Sequence, residues 1–274
     1  MFDTEHTLVM GVINTTPDSF SDGGLNYAPE TAISCGLGML EDGADILDIG
    51  GESSRPGSDY VGEQEELDRV LPVIKGIMAE KPDCRISLDT RRRSVAEAGI
   101  KEGVSIINDI SGFRDDPTLI DLGREARVGM IIMHMLGSPR DMQKNIRYDN
   151  FPQDIHDFLA ERIRSLEERG IEPAKIVVDP GIGFGKTFDQ NLSLINRLDF
   201  FSDLNKPILV GASRKAFLGK ILDEPVATKR GYGTLATVAV SIMRGASIVR
   251  VHDVAPAVQV CRVTEAILRE RVQV

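Results

Sequence analysis

The segment Lys175-Ile-Val-Val-Asp-Pro-Gly-Ile-Gly-Phe-Gly-Lys-Thr187 carries the pattern that decides the fold: a short β-branched run that stops on an acid and enters a glycine-rich turn. Its apolar run is continuous rather than alternating, which reads as a strand buried on both faces, as in a parallel sheet covered by helices. The same rhythm repeats outward in both directions. The apolar runs are Thr7 to Ile13, Asp45 to Ile49, Arg85 to Leu88, Val104 to Ile107, Val128 to Met133, Lys175 to Val178, Pro207 to Val210 and Ser247 to Val251, eight in all. Between them, apolar residues at helical spacing mark Pro29 to Leu40, Glu63 to Met78, Asp154 to Leu166, Asn191 to Leu198 and Thr234 to Met243. Eight βα units in 274 residues predict a (β/α)8 TIM barrel of the α/β class. No linker or shift of composition divides the chain, so residues 1–274 are expected to form a single domain. An open doubly wound sheet is the alternative.

Each run exits into polar residues. The exits read Asn14-Thr-Thr-Pro-Asp, Gly50-Gly-Glu-Ser-Ser-Arg, Asp89-Thr, Asn108-Asp, His134, Asp179-Pro-Gly, Ala212-Ser-Arg-Lys and His252-Asp. Polar residues commonly end strands, but in a barrel all eight exits lie at one rim, where loops build an active site on a rigid scaffold.

The 179–187 segment mimics two nucleotide motifs and matches neither. A P-loop needs glycine where Pro180 stands, and the dinucleotide fingerprint needs a third glycine where Lys186 stands. What remains is a glycine loop that lets backbone approach a ligand, with an acid at its base and Phe184 inside it, suited to a flat hydrogen-bonding ring. A purely structural turn is the other reading. Asp89, Asn108 and Asp179 close the third, fourth and sixth runs, and their acceptors match a heterocycle with a guanidine-like edge. Paired carboxylates also serve glycoside hydrolysis, but neighbouring cations argue against it.

Those cations are Arg55, Arg214, Lys215, Arg250 and His252, on the second, seventh and eighth exits. Arg beside a helix N-terminus suits diphosphate or carboxylate, and the loops after strands seven and eight are the usual phosphate site of a barrel. For Arg214 a surface salt bridge is an equal reading. Arg250 and His252 project to one face of a strand. Asn14 could complete a weak Mg2+ site, since Mg2+ takes few protein oxygens and leaves the rest to phosphate and water. His134 reads as a packed core residue or a ligand contact, whereas His6 and His156 are expected at the surface without polar company.

Composition excludes other classes. With 32 Lys+Arg against 42 Asp+Glu the net charge is -10, and no basic run stands out, so nucleic acid is not an expected partner. The three cysteines Cys35, Cys84 and Cys261 have neither zinc nor disulfide spacing and read as reduced thiols. No run of eighteen apolar residues or basic leader occurs, so a membrane is not expected and a cytoplasmic location is.

Taken in order, Gly11-Val-Ile-Asn-Thr-Thr-Pro-Asp-Ser-Phe-Ser-Asp-Gly-Gly24, Gly50-Gly-Glu-Ser-Ser-Arg-Pro-Gly57, Ile107-Asn-Asp-Ile-Ser-Gly112, the 179–187 segment, Ser213-Arg-Lys and Arg250-Val-His-Asp-Val254 resemble the dihydropteroate synthase family over nearly the whole length. The resemblance implies a transferase of folate biosynthesis that condenses 6-hydroxymethyl-7,8-dihydropterin diphosphate with 4-aminobenzoate, releasing diphosphate. It implies that Asp89, Asn108, Asp179 and Lys215 bind the pterin, and that Asn14, Ser54, Arg250 and His252 serve the diphosphate, Asn14 with Mg2+ as cofactor. Phe20, Ser54, Arg55, Pro56, Phe184, Ser213 and Lys215 match the 4-aminobenzoate side. Of these, Asp89, Asp179, Lys215, Arg250 and His252 would carry catalysis. It further implies a homodimer joined through barrel helices, and inhibition by sulfonamides. Ser54 stands for a common threonine, Leu136 for glutamine, Gln190 for histidine, Arg92 for lysine and Ala216 for serine. A pterin-dependent methyltransferase and a non-catalytic pterin-binding paralogue are the competing readings.

Overall fold

Every apolar run becomes a strand, each beginning one or two residues later than its run. β1 spans Leu8–Asn14, β2 Ile46–Gly50, β3 Ile86–Asp89, β4 Ile106–Asp109, β5 Gly129–Met133, β6 Ile176–Asp179, β7 Leu209–Val210 and β8 Ile248–Val251. The shift matters for function. Asn14, Asp89, Asn108 and Asp179 read as exits just beyond their strands, yet they are strand residues in the ladder: Asn14 pairs with Gly50, Asp89 with Asn108 and Met133 with Asp179. Their backbones are fixed by sheet hydrogen bonds rather than by loop conformation.

This is a computed structural model describing residues 2, 5–16, 29–55 and 57–271. Phe20 and Pro56 lie outside the described residues. All strand pairings are parallel, in the order β6-β5-β4-β3-β2-β1-β8-β7. The remaining seam between β6 and β7 is bridged at Val178 and Ile208, where the Val178 amide donates to Pro207 O at 3.0 Å. The ring is therefore a barrel, and the open-sheet alternative falls.

The helices are α1 (Pro29–Glu41), α2 (Glu63–Glu80), α3 (Arg93–Lys101), α4 (Thr118–Ala126), α5 (Gln153–Glu168), α6 (Phe188–Asn196), α7 (Ala216–Leu222), α8 (Gly231–Met243) and α9 (Val254–Leu268). Between β7 and β8 lie two of them, the short α7 being additional to the βα repeat. The apolar faces of the helices pack on the outside of the sheet in two large clusters, one centred on α4, α5 and α6, the other on α1, α2 and α9.

A third cluster fills the barrel itself, with Leu8, Met10, Ile46, Ile106, Ile131, Val177, Leu209 and Ile248 inside and Phe2 beside them. Side chains on a strand alternate faces, so the residue two positions on points inward one layer higher. From Ile46 that residue is Asp48, from Ile106 it is Asn108, from Val177 it is Asp179 and from Ile248 it is Arg250. The pleat that buries an apolar plug thus lifts a polar layer onto it.

Candidate active site

Asp48 sits fully buried at the centre of this polar layer. Its Oδ2 accepts from Arg250 Nε at 2.6 Å, and its two oxygens lie 3.3 and 3.4 Å from Asn108 Nδ2. Arg250 also reaches Asp89 Oδ2 with Nη2 at 3.4 Å. One guanidinium therefore ties three strands together, and it also offsets the cost of holding two carboxylates in a dry interior. The Asp48 contact fixes the Asn108 amide so that its carbonyl oxygen remains an acceptor. Sequence reasoning missed Asp48. The signal was present, because an acid inside Ile46-Leu-Asp-Ile-Gly50 breaks an otherwise buried apolar strand.

Asp89 is pushed well above the ordinary carboxylate range, first by burial and then by Asp48, with Arg250 opposing. Asp179 is raised to about 6 by burial, against the Gly181 amide, Lys215, Lys186 and Arg250, which all favour its charge. Its Oδ1 accepts from the Gly181 amide at 2.7 Å, leaving Oδ2 for a ligand. Lys215 is lowered to about 8, by burial first and by Arg250 next, and its Nζ lies 4.1 Å from the centre of the Phe184 ring. That cation–π contact couples Lys215 to the glycine loop. Phe184 belongs to an apolar cluster with Ile110, Met133, Met135 and Met142, which gives the polar layer a flat apolar wall.

The glycine loop has little freedom. Gly181 (φ 73°) and Gly185 (φ 67°) adopt left-handed backbone, and a Cβ on Gly181 would lie 1.9 Å from His134 O. Side chains hold the loop carbonyls one by one: Gln143 donates to Gly183 O at 2.9 Å, Lys186 to Phe184 O at 3.0 Å and Tyr148 to Gly185 O at 2.8 Å. Lys186, which in a P-loop would face phosphate, points inward and is 1% exposed. Its remaining donors go to His134 Nδ1 at 3.0 Å and His134 O at 3.3 Å. Burial lowers this lysine to about 7. His134 is accordingly the packed residue of the two readings, edge-on to Phe158 at 5.0 Å, and burial followed by Lys186 holds it neutral.

On the opposite side, Ser213 Oγ accepts from the His252 amide at 3.3 Å and lies 2.9 Å from His252 Nδ1. The hydroxyl can still give its own proton to Nδ1, and in that tautomer the neutral imidazole carries its proton on Nε2 as a donor. Burial first, then Arg214, Arg250, Lys215 and Arg55, drop His252 to about 3, so its imidazole is neutral at physiological pH. Arg214 takes the salt-bridge reading: it contacts both oxygens of Asp253, at 2.6 and 3.2 Å. A cavity of about 650 Å³ opens between α1, α8 and the start of α9, with His252 and Asp253 in its wall.

Ser54 shares the wall of a smaller cavity with Asp89, Thr90 and Ile110, and Arg55 is exposed on the same loop. Ala216 opens α7 behind Lys215 and offers no hydroxyl. Gln190 completes a capping box with Thr187, and a Cβ on Gly185 would meet the backbone and Cβ of Leu136, so that contact does not depend on the rest of the Leu136 side chain. One expectation is corrected. His6 and His156 have polar partners, since His6 lies 3.2 Å from Asp45 and His156 lies 2.9 Å from Asp203 while packing on Phe200 and Phe201. Both partners are distant in sequence, which made these pairs invisible in the chain.

The model of the pterin binding enzyme family matches residues 10–252. A dihydropteroate synthase of Synechocystis sp. is 42% identical over 97% of this chain and 91% of its own length. The structure of a Xanthomonas albilineans dihydropteroate synthase with 4-aminobenzoic acid superposes with a TM-score of 0.90 at 39% identity, covering 96% of this chain and 94% of that one. A Yersinia pestis dihydropteroate synthase in a sulfonamide drug complex gives 0.91 at 38% identity, covering 97% and 96%. The polar layer, the splinted glycine loop and these likenesses agree: the chain belongs to the pterin-binding enzymes and, among them, to the dihydropteroate synthase family.

Proposed function

We propose that this chain condenses 6-hydroxymethyl-7,8-dihydropterin diphosphate with 4-aminobenzoate to give 7,8-dihydropteroate and diphosphate. The observation that carries this reading is the convergence of Asp89, Asn108 and Asp179 on the inner face of the barrel, above an apolar floor, with Lys215 reaching them from the start of α7 beside the Phe184 wall. The free Asp179 oxygen and the Asn108 carbonyl are acceptors for a ring bearing adjacent N–H and amino groups, and Lys215 is a donor for its ring acceptors.

Breaking the methylene C–O bond sends the electron pair out with diphosphate and leaves a cation delocalised into the pterin. The carboxylate of Asp179 and the Asp48 charge in the same layer lower the energy of that cation, preorganised in a site that need not reorient. Arg250 and the Nε2–H of His252 would hold the departing oxygens. The amine of 4-aminobenzoate then forms the C–N bond and sheds a proton, so no protein nucleophile takes part. Ser54, Arg55, Phe184, Ser213 and Lys215 are the described residues that would shape the second substrate's side. Asn14, at the end of β1, offers one neutral oxygen, which suits Mg2+ held mainly by diphosphate and water. Bound there, the ion would neutralise charge on the leaving diphosphate.

The test is diphosphate release from the purified protein with both substrates and Mg2+. No release above background overturns the reading. Sulfonamides, as mimics of 4-aminobenzoate, should inhibit competitively against it, and inhibition competitive with the pterin instead would count against the assigned pocket. A homodimer is also part of this reading. Exposed apolar side chains on adjoining helices, Phe188 and Leu192 on α6, Ile221 and Leu222 on α7 and Met243 on α8, support it. A cytoplasmic site of action is supported by three free cysteines and by the absence, among the described residues, of a helix long and apolar enough to cross a membrane.

A further inference from the structure

We propose that Arg92, assisted by Arg91, is a positioning residue for the second substrate: the two guanidiniums pin both feet of the β2–α2 loop and so preset the segment that carries Ser54 and Arg55. The inference rests on 4-aminobenzoate being that substrate.

The loop runs from Gly51 to Gly62. At its first foot, Glu52 Oε2 accepts from Arg92 Nη1 at 3.1 Å and Glu52 Oε1 from Arg91 Nη2 at 2.9 Å. At its second foot, Arg92 Nη2 donates to Val61 O, and Arg92 Nη1 also pairs with Glu66 in the first turns of α2. Arg91 continues outward, covering the Tyr60 ring at 4.7 Å and pairing with Asp115 at 2.6 Å. One planar fork thus reaches Glu52, Val61 and Glu66 together. A lysine is a point charge and cannot span the three in that geometry. Glu66 is fully buried and Glu52 is 14% exposed, so the pairs are screened far less than surface ion pairs.

The crown between the feet depends on them. Ser58 Oγ donates back to Ser53 O at 2.5 Å, and the Gly57 amide donates to Pro139 O at 2.9 Å, which closes the loop against the β5–α5 segment. Ser54 then meets Asp89 and Ile110 across the small cavity. A loop held this way has less conformational entropy to lose when the substrate arrives, and that saving appears in affinity rather than in the chemical step.

The experiment compares wild type, Arg92→Lys and Glu52→Gln. Arg92→Lys keeps a cation against Glu66 and so preserves the fold, while Glu52→Gln frees the first foot from the loop side. Amide exchange by mass spectrometry on the ligand-free protein should accelerate in peptides covering 51–62 and not elsewhere. The KM for 4-aminobenzoate should rise about three- to tenfold in both variants, with kcat and calorimetric pterin affinity unchanged. Exchange that is unaltered in the loop, or faster throughout the protein, overturns the proposal, as does an equal loss of affinity for both substrates. A wild type with no turnover sinks the functional reading and the substrate assigned here, while the exchange comparison still decides whether the arginines hold the loop.

Discussion

Asp179 shows how one carboxyl is tuned by the barrel. Burial raises it to about 6, and Lys215, Lys186, Arg250 and the Gly181 amide stop it rising further. It is therefore ionised at neutral pH and neutral in mild acid. If the carboxylate accepts from the pterin, the contribution of Asp179 to pterin affinity is full well above about pH 6 and falls as pH drops through that value, because protonation removes an acceptor. Asp179→Asn should weaken pterin binding by about 1.5–3 kcal/mol and abolish that pH dependence. Calorimetric titration across pH 5–8 checks both. Asp48 makes a different prediction. Asp48→Asn strips the charge from the partner of a mostly buried Arg250, and should destabilise the fold by about 3 kcal/mol, read from chemical denaturation. An Asp48→Asn protein as stable as wild type would mean that Arg250 finds full compensation in Asp89.

Among the elements, α6 has the most explicit start signal. Thr187 caps it, accepting from the Gln190 amide at 3.2 Å, while Gln190 Oε1 accepts from the Thr187 amide at 2.9 Å. This reciprocal pair fixes where the glycine loop ends and the helix begins, and histidine at position 190 could not return the bond in the same way. Thr187→Ala should cost about 1 kcal/mol of stability, measured by urea denaturation, with pterin affinity within twofold of wild type. The strands were legible because a βα barrel buries them on both faces, and their starts were misjudged by one or two residues because a ladder ends where the partner ends. Nothing local in Leu88-Asp89 reveals that Asn108 stands opposite. Helix α9 was harder to read, since its many apolar residues include Val263 and Ile267, which are 60% and 66% exposed and blur the helical period.

At the scale of the molecule, the barrel leaves apolar side chains of α6, α7 and α8 uncovered. A homodimer through them predicts sedimentation at twice the 30.0 kDa chain mass, reduced to that of one chain by Ile221→Glu with Met243→Glu. A monomeric wild type would remove that part of the functional reading. Binding of a pterin to the folded state alone should also stabilise the protein by about 2.7 kcal/mol at a ligand concentration of 100 Kd, visible as a raised unfolding temperature. The sequence by itself determined the barrel, because continuous β-branched runs separated by helices have few other ways to bury their surface, and it determined the acids and cations of the rim, because polar residues in those motifs stand out against apolar strands. Tertiary structure alone decided their partners: Asp48 with Arg250, Lys186 with His134, and Arg92 with Glu52 and Glu66 are separated by 202, 52, 40 and 26 residues. Which charges neutralise one another depends on closure of the ring, which brings distant strands within hydrogen-bond reach, and no local pattern encodes that.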